Sequence, residues 1–152
     1  MSPFSSVNVA ETLERTAAEV LELMCFAMVD ESSGEERPAL EAEARVAFRG
    51  PTTGELRIRA YGDVIGELAE GMVADDELAQ AECLDAWGEV GNVLCGGVLP
   101  VLHPDGIYDL AAPAVATEAS ETQLTAVGAC EIEVDGGVVS VELFVAGVEK
   151  TP

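Results

Sequence analysis

The segment AECLDAWGEVGNVLCGGVLP, Ala81 to Pro100, carries the arrangement of side chains in this sequence that most suggests chemistry. On a helix, successive residues turn by about 100°. Leu84, Trp87, Gly88, Gly91, Leu94, Cys95 and Val98 then gather on one side. Asp85, Glu89, Asn92 and Gly96 form a narrow stripe on another, at offsets of four, three and four. Two carboxylates and a carboxamide thus stand in a row, able to hold hydrogen-bonding groups of a docked partner. The sequence has only two asparagines, Asn8 and Asn92, and asparagine is a mediocre helix residue, so packing alone gives little reason for Asn92. Gly88, Gly91, Gly96 and Gly97 each cost about 1 kcal/mol against alanine in a helix interior. They predict close approach: a packed element on the Gly88/Gly91 side and a partner on the Gly96 side. Glu-x-x-Asn by itself is a weak signal, and the plain alternative is a solvated polar face.

Other reactive residues are sparse. His103, the single histidine, lies in Leu102-His103-Pro104-Asp105 with no nearby nucleophile and reads as structural or exposed. Cys25, Cys83, Cys95 and Cys130 show no C-x-x-C spacing and read as reduced, mostly buried thiols; no metal site is assigned. Trp87 falls on the apolar side and reads as core. Asp63 and Asp75-Asp76 read as helix starts rather than metal ligands. Gly96-Gly97 ends a helix rather than opening one, so it makes no phosphate-binding loop.

The stripe must be held by the elements around it. Its helix is predicted from about Asp75 or Asp76 to about Gly97, with Pro100 and Pro104 barring continuation. An earlier helix is predicted from about Ala10 to Met28, with Leu13, Ala17, Val20, Leu21, Met24 and Met28 on one face. Asp30 to Pro38 reads as a polar linker. Leu40 to Arg49 alternates strictly, Gly50 to Gly54 turns, and Leu56, Ile58 and Ala60 alternate with Glu55, Arg57 and Arg59. These are the strands of an antiparallel hairpin whose polar face predicts cross-strand charge pairs. A short helix spans Asp63 to Met72, and Ile107 to Leu110 reads as a short strand. Thr122 to Val134 and Val138 to Val145 form a second hairpin through Asp135-Gly136-Gly137, with Leu124, Ala126, Gly128, Cys130, Ile132 and Val134 lining one face. The order predicts an α+β fold: a largely antiparallel β-sheet with two long helices packed on it and one short extra helix. The 152 residues read as a single domain with an ordered core of about 8–148.

Charge narrows the partners. Seven Lys and Arg face 29 Asp and Glu, a formal net charge of -22. That speaks against nucleic acid, whose phosphates demand a basic face, and against an anionic membrane surface. Val90 to Leu102, the longest apolar candidate, is too short and too interrupted to span a bilayer. The N-terminus lacks the basic start and apolar run of a secretory signal, so a cytoplasmic protein is expected.

Asp85-x-x-x-Glu89-x-x-Asn92, continued through Val93-Leu94-Cys95-Gly96-Gly97, resembles the signature helix of the chemotaxis phosphatases CheC and CheX and the related FliY. That pattern is Asp or Ser, three residues, Glu, two residues, Asn, and later a proline, for which Pro113 stands with twenty residues between it and Asn92. The resemblance implies a CheC-like fold and an enzyme that hydrolyses the aspartyl phosphate of a CheY-like response regulator. It implies that Glu89 and Asn92 are catalytic: Asn92 holds a water in line with the phosphorus, and Glu89 pairs with the regulator's active-site lysine. It implies that Asp85 and Gly96 are partner-binding, Gly96 leaving room for the partner's surface. No cofactor is expected on this chain, because the regulator would hold the Mg²⁺. The earlier helix has no asparagine between Ala10 and Met28, so a second copy of the motif is absent. One site per chain is CheX-like, and in that family implies a homodimer.

Two other functions compete. The same helix could dock on a receiver or a flagellar switch protein without turnover. A small dimeric thioester hydrolase is also compatible with a helix against a curved sheet, although the charge of -22 makes polyanionic coenzyme A an awkward substrate.

Overall fold

The structure, a computed structural model, describes residues 8–25, 27–31, 37–73, 79–134 and 136–146. Asn8 starts the first helix: its Oδ1 accepts the Glu11 N–H at 3.0 Å, satisfying an orphan donor of the first turn. Helix α1 then runs Val9–Cys25 and buries Leu13, Ala17 and Leu21. Met28 lies beyond its end and is exposed rather than on the core face, because the chain has already turned toward strand β1 (Val29–Glu31). Asp30 and Glu31 of the expected polar linker are therefore strand; 32–36 lie outside the described residues, and Arg37 and Pro38 are irregular as expected.

Strands β2 (Leu40–Arg49) and β3 (Gly54–Tyr61) form the expected hairpin, with Ala44 opposite Ile58. Helix α2 (Ile65–Val73) follows and helix α3 (Gln80–Leu102) after it. The expected α2 start at Asp63 falls two residues early; the α2 N-terminus is held by Glu41, whose Oε1 accepts the Val64 and Ile65 N–H groups at 2.9 and 3.0 Å. Asp75 and Asp76, expected to start α3, lie outside the described residues. At that helix's first turn the Glu82 carboxylate reaches back to the Ala79 N–H at 3.2 Å.

Helix α3 overrides the predicted stop at Gly97 and continues through Pro100 to Leu102. Proline there removes one backbone hydrogen bond near the helix end. Against that loss, Val98, Leu99 and Leu102 enter the core, each burial being worth about 1.5–3 kcal/mol. The His103 N–H closes the last turn on the Leu99 carbonyl at 2.8 Å.

The sheet closes with β4 (Asp109–Leu110), β5 (Ala114–Ala116), β6 (Thr125–Val134) and β7 (Gly137–Val145). Its order is β1-β6-β7-β3-β2-β4, with β5 also on β2, and every pairing is antiparallel. Strand β5 escaped the sequence reading because three residues show no usable period. In β6 a register shift between Ala126 and Gly128 breaks the predicted face: Ala126 is exposed while Val127 packs against the core. Gly136 takes a positive φ of 89° in the β6–β7 turn, a conformation glycine adopts without strain.

One sheet face meets the helices through Val46, Leu56, Ile58, Val141 and Leu143, all fully buried. The other carries the charge pairs, but not as a solvated face. Glu43 is 0% exposed and Arg57 2%. Arg59 Nε donates to Glu43 at 2.7 Å, Ser120 Oγ donates to it at 2.6 Å, and Arg57 donates to the Ser120 and Glu121 carbonyls. Burial alone would raise the Glu43 pKa. The hydrogen bonds from Ser120 and Arg59 and the charges of Arg59 and Arg57 outweigh it and hold the carboxyl below its ordinary 4.5. The segment around Ser120 is thereby strapped across the outer sheet face.

Candidate functional site

The glycines of helix α3 differ in what surrounds them. A Cβ at Gly88 would stand 3.0 Å from Val115 Cγ2 and 3.2 Å from Pro113 Cγ, so the β4–β5 segment packs on bare helix backbone there. A Cβ at Gly91 would meet Val46, Ala44 and Ile58 at 3.4 to 3.6 Å, against the sheet. A Cβ at Gly96 would meet nothing within 4 Å. The packed element predicted on the Gly88/Gly91 side is present, and the Gly96 side is open.

The stripe occupies the open side. Asp85, Glu89 and Gly96 are exposed, and Asn92 is half-buried. The structure brings all four to one outward face, since 23 unbroken helical residues keep their offsets of four, three and four. Trp87, Val90, Leu94 and Val98 are buried on the opposite side and fix the helix rotation. The stripe is therefore mounted on a rigid, core-anchored element rather than on a loop. Pro113 borders it at Gly88, one turn before Asn92, which gives that proline a packing role beside the site.

Sequence reasoning did not single out the apolar residues on the stripe's other flank. Leu23, Val93 and Val101 are exposed by 79%, 41% and 49%. Leu23 lies off the apolar period of its helix, and that was the available signal. Among the described residues no three or more His, Cys, Asp or Glu are placed to hold a metal ion. None of the four cysteines is joined in a disulfide; Cys25 and Cys95 are buried and Cys83 and Cys130 half-buried. Burial pushes the thiols of Cys95 and Cys130 up to about 12, leaving both protonated and inert. His103 is half-buried, with Nδ1 2.7 Å from the Tyr108 hydroxyl, and Trp87 is core as expected. Among the described residues no helix is long and apolar enough to cross a membrane.

This fold has solved counterparts. The chemotaxis protein CheX of Vibrio vulnificus superposes with a TM-score of 0.73 at 17% identity, over 91% of this chain and 97% of that one. CheX of Borrelia burgdorferi, solved as a complex with CheY, BeF3 and Mg, superposes with a TM-score of 0.67 at 17% identity, over 89% of this chain and 96% of that one. The FliM middle domain of H. pylori is more distant, with a TM-score of 0.53 at 10% identity, over 89% and 85%. No curated protein matches the chain in sequence. The sequence profile described as "Chemotaxis phosphatase CheX" matches residues 43–135, a span from the buried Glu43 through the whole signature helix to the second hairpin. That span is more than half of the sequence, and the chain belongs to the CheX family.

Proposed function

We propose that this protein hydrolyses the aspartyl phosphate of a CheY-like response regulator. The carrying observation is the stripe on α3: Glu89 and Asn92 one turn apart on an outward face, beside Gly96 with open space above it. Docked against the regulator's phosphorylation site, the Asn92 carboxamide would accept from and donate to one water and hold it in line with the phosphorus. The water oxygen bonds to phosphorus as the bond to the aspartyl oxygen breaks. Inorganic phosphate leaves and the aspartate carboxylate is restored, with the water's proton passing to the phosphate or solvent. No covalent intermediate forms on this chain. Glu89 would pair with the regulator's lysine and set the angle of the docked helix, and Asp85 would touch the regulator at the rim. The Mg²⁺ that neutralises developing charge belongs to the regulator in this reading. The relative from Borrelia burgdorferi, solved with CheY, supports the choice of partner. The family match also turns the choice away from the thioester hydrolase. We keep the homodimer as a proposal, tested by solution mass.

The experiment is the decay of a phosphorylated CheY-like receiver from the same genome, with catalytic amounts of this protein and of Asn92→Ala. Acceleration lost by at least about a hundredfold in the variant, with the melting temperature unchanged, is the expected result. The likeness to the FliM middle domain favours one second reading, docking without turnover. Binding with no acceleration by the unaltered protein would decide for it.

A further inference from the structure

An open groove of about 490 Å³ runs between α1 and α3. Val20, Leu23 and Met24 form one bank, and Val93, Gly97 and Val101 the other. Its exposed apolar side chains belong to a protein with a net charge of -22, where exposed leucine and valine on adjoining helices stand out. The groove is continuous with the stripe. Val93 lies one turn beyond Glu89, and Gly97 one turn beyond Val93, so neighbouring positions on the helix surface are only about 5–6 Å apart. A stable interface covers about 800 Å² on each partner, a disc of roughly 16 Å radius. A receiver centred on Asn92 therefore overlies the groove as well.

Charge makes that contact necessary. A receiver's phosphorylation site is itself acidic, and a -22 protein approaching it gains nothing from long-range attraction. Positioning one water likewise supplies little affinity. We propose that the α1/α3 groove is the anchoring half of the receiver interface. It takes an apolar side chain from the receiver surface beside the phosphorylation site, with a flanking cation meeting Glu19 on the groove's rim. The inference rests on the proposed receiver phosphatase activity and assigns that site its affinity determinant. Turnover resides in Asn92, and the groove adds an apolar anchor to the polar contacts of Glu89 and Asp85.

The test uses Leu23→Ser, Val93→Ser and Val101→Ser, singly and combined, all at exposed positions so that circular dichroism and melting stay near the unaltered protein. The probe is a CheY-like receiver from the same genome, loaded with beryllofluoride and Mg²⁺ for Kd, and phosphorylated for turnover. The combined variant is expected to raise Kd and KM at least about tenfold while kcat stays within about twofold. Asn92→Ala is expected to do the reverse. Undiminished receiver binding by the combined variant overturns the inference. If that variant also loses a dimer by light scattering, the groove is a contact between copies of this chain. Failure of the unaltered protein to bind or dephosphorylate any receiver removes the functional reading first and this inference with it. That outcome is read on the unaltered protein, so the two failures are separable.

Discussion

Gly96→Ala separates what the fold needs from what the partner needs. Gly96 sits inside α3, six residues before its last residue, and is exposed. A Cβ built there meets no atom within 4 Å. Alanine is favoured over glycine in a helix interior by about 1 kcal/mol, so the variant should be more stable by that amount. For a chain of this size that raises the melting temperature by about 2–4 °C. Its neighbours behave differently. Gly88→Ala places a methyl 3.0 Å from Val115 and 3.2 Å from Pro113 and should lose stability. Gly97→Ala meets Thr16 Cγ2 at 3.2 Å and should gain less than Gly96→Ala. Receiver dephosphorylation should move opposite to stability at Gly96. Alanine should lower kcat/KM severalfold, and Gly96→Leu, a bulkier side chain growing from the same unobstructed Cβ position, should lower it by about a hundredfold, or about 2.7 kcal/mol. Thermal melts and single-turnover decay of the phosphorylated receiver measure both quantities on the same samples. A stable Gly96→Leu with full turnover would refute the claim that a partner closes on this face.

Two further outcomes follow from charge. Glu43→Gln strips the compensating carboxylate from buried Arg57 and from Arg59, and should cost about 3 kcal/mol in urea denaturation at pH 7, the low end for a broken buried pair because Arg57 keeps Glu55. Since the folded pKa of Glu43 is lowered below 4.5, its contribution is present in full above the ordinary carboxylate range and fades as pH falls through the folded value; the gap between the unaltered protein and Glu43→Gln should close there, and a gap that widens with acid contradicts the assignment. Raising salt from about 0.05 to 0.3 M should tighten receiver binding, because screening would relieve repulsion between two acidic surfaces more than it would weaken the Glu89 pairing proposed above; steady weakening with salt speaks against an apolar anchor.

Most of the fold was legible because its signals were periodic and long. The alternation of Leu40 to Arg49 and the apolar stripe from Leu13 to Met24 survive in β2 and α1 with small shifts of boundary. What escaped were features decided by distant contacts. Pro100 continues its helix because Leu99 and Leu102 find a core, which local propensity does not report. Strand β5 exists because β2 offers an unpaired edge, and α2 starts where Glu41 of another strand receives its N–H groups. The hairpin's polar face announced its charge pairs but not their burial, because the segment around Ser120, about 63 to 77 residues away, gave no sign of lying over it. The shared face of the candidate site's residues was the part most directly legible. A helix transmits spacing directly into geometry, so Asp85, Glu89, Asn92 and Gly96 needed only an unbroken helix to share a face.

The glycines of α3 explain why this helix tolerates a composition that propensity disfavours. Gly88 and Gly91 let the helix sit close to Pro113, Val115 and the sheet, so their conformational cost is offset by packing inside the fold. Gly97 does the same more weakly against Thr16 of α1. Gly96 shows no such packing: it weakens the helix by about 1 kcal/mol, and a Cβ there would meet nothing within 4 Å. Within the isolated chain that is a net loss, and a residue carrying a net loss on an exposed, rigid helix face calls for a benefit realised outside the chain. The same reasoning applies to Asn92, a poor helix former held at mid-helix, whereas the other asparagine, Asn8, stands where its side chain serves the fold as a helix cap. Two unfavourable choices four residues apart on one face single out this part of α3 for the receiver contact proposed above; Glu89 is a better helix former than either, and acidic residues are common in this sequence.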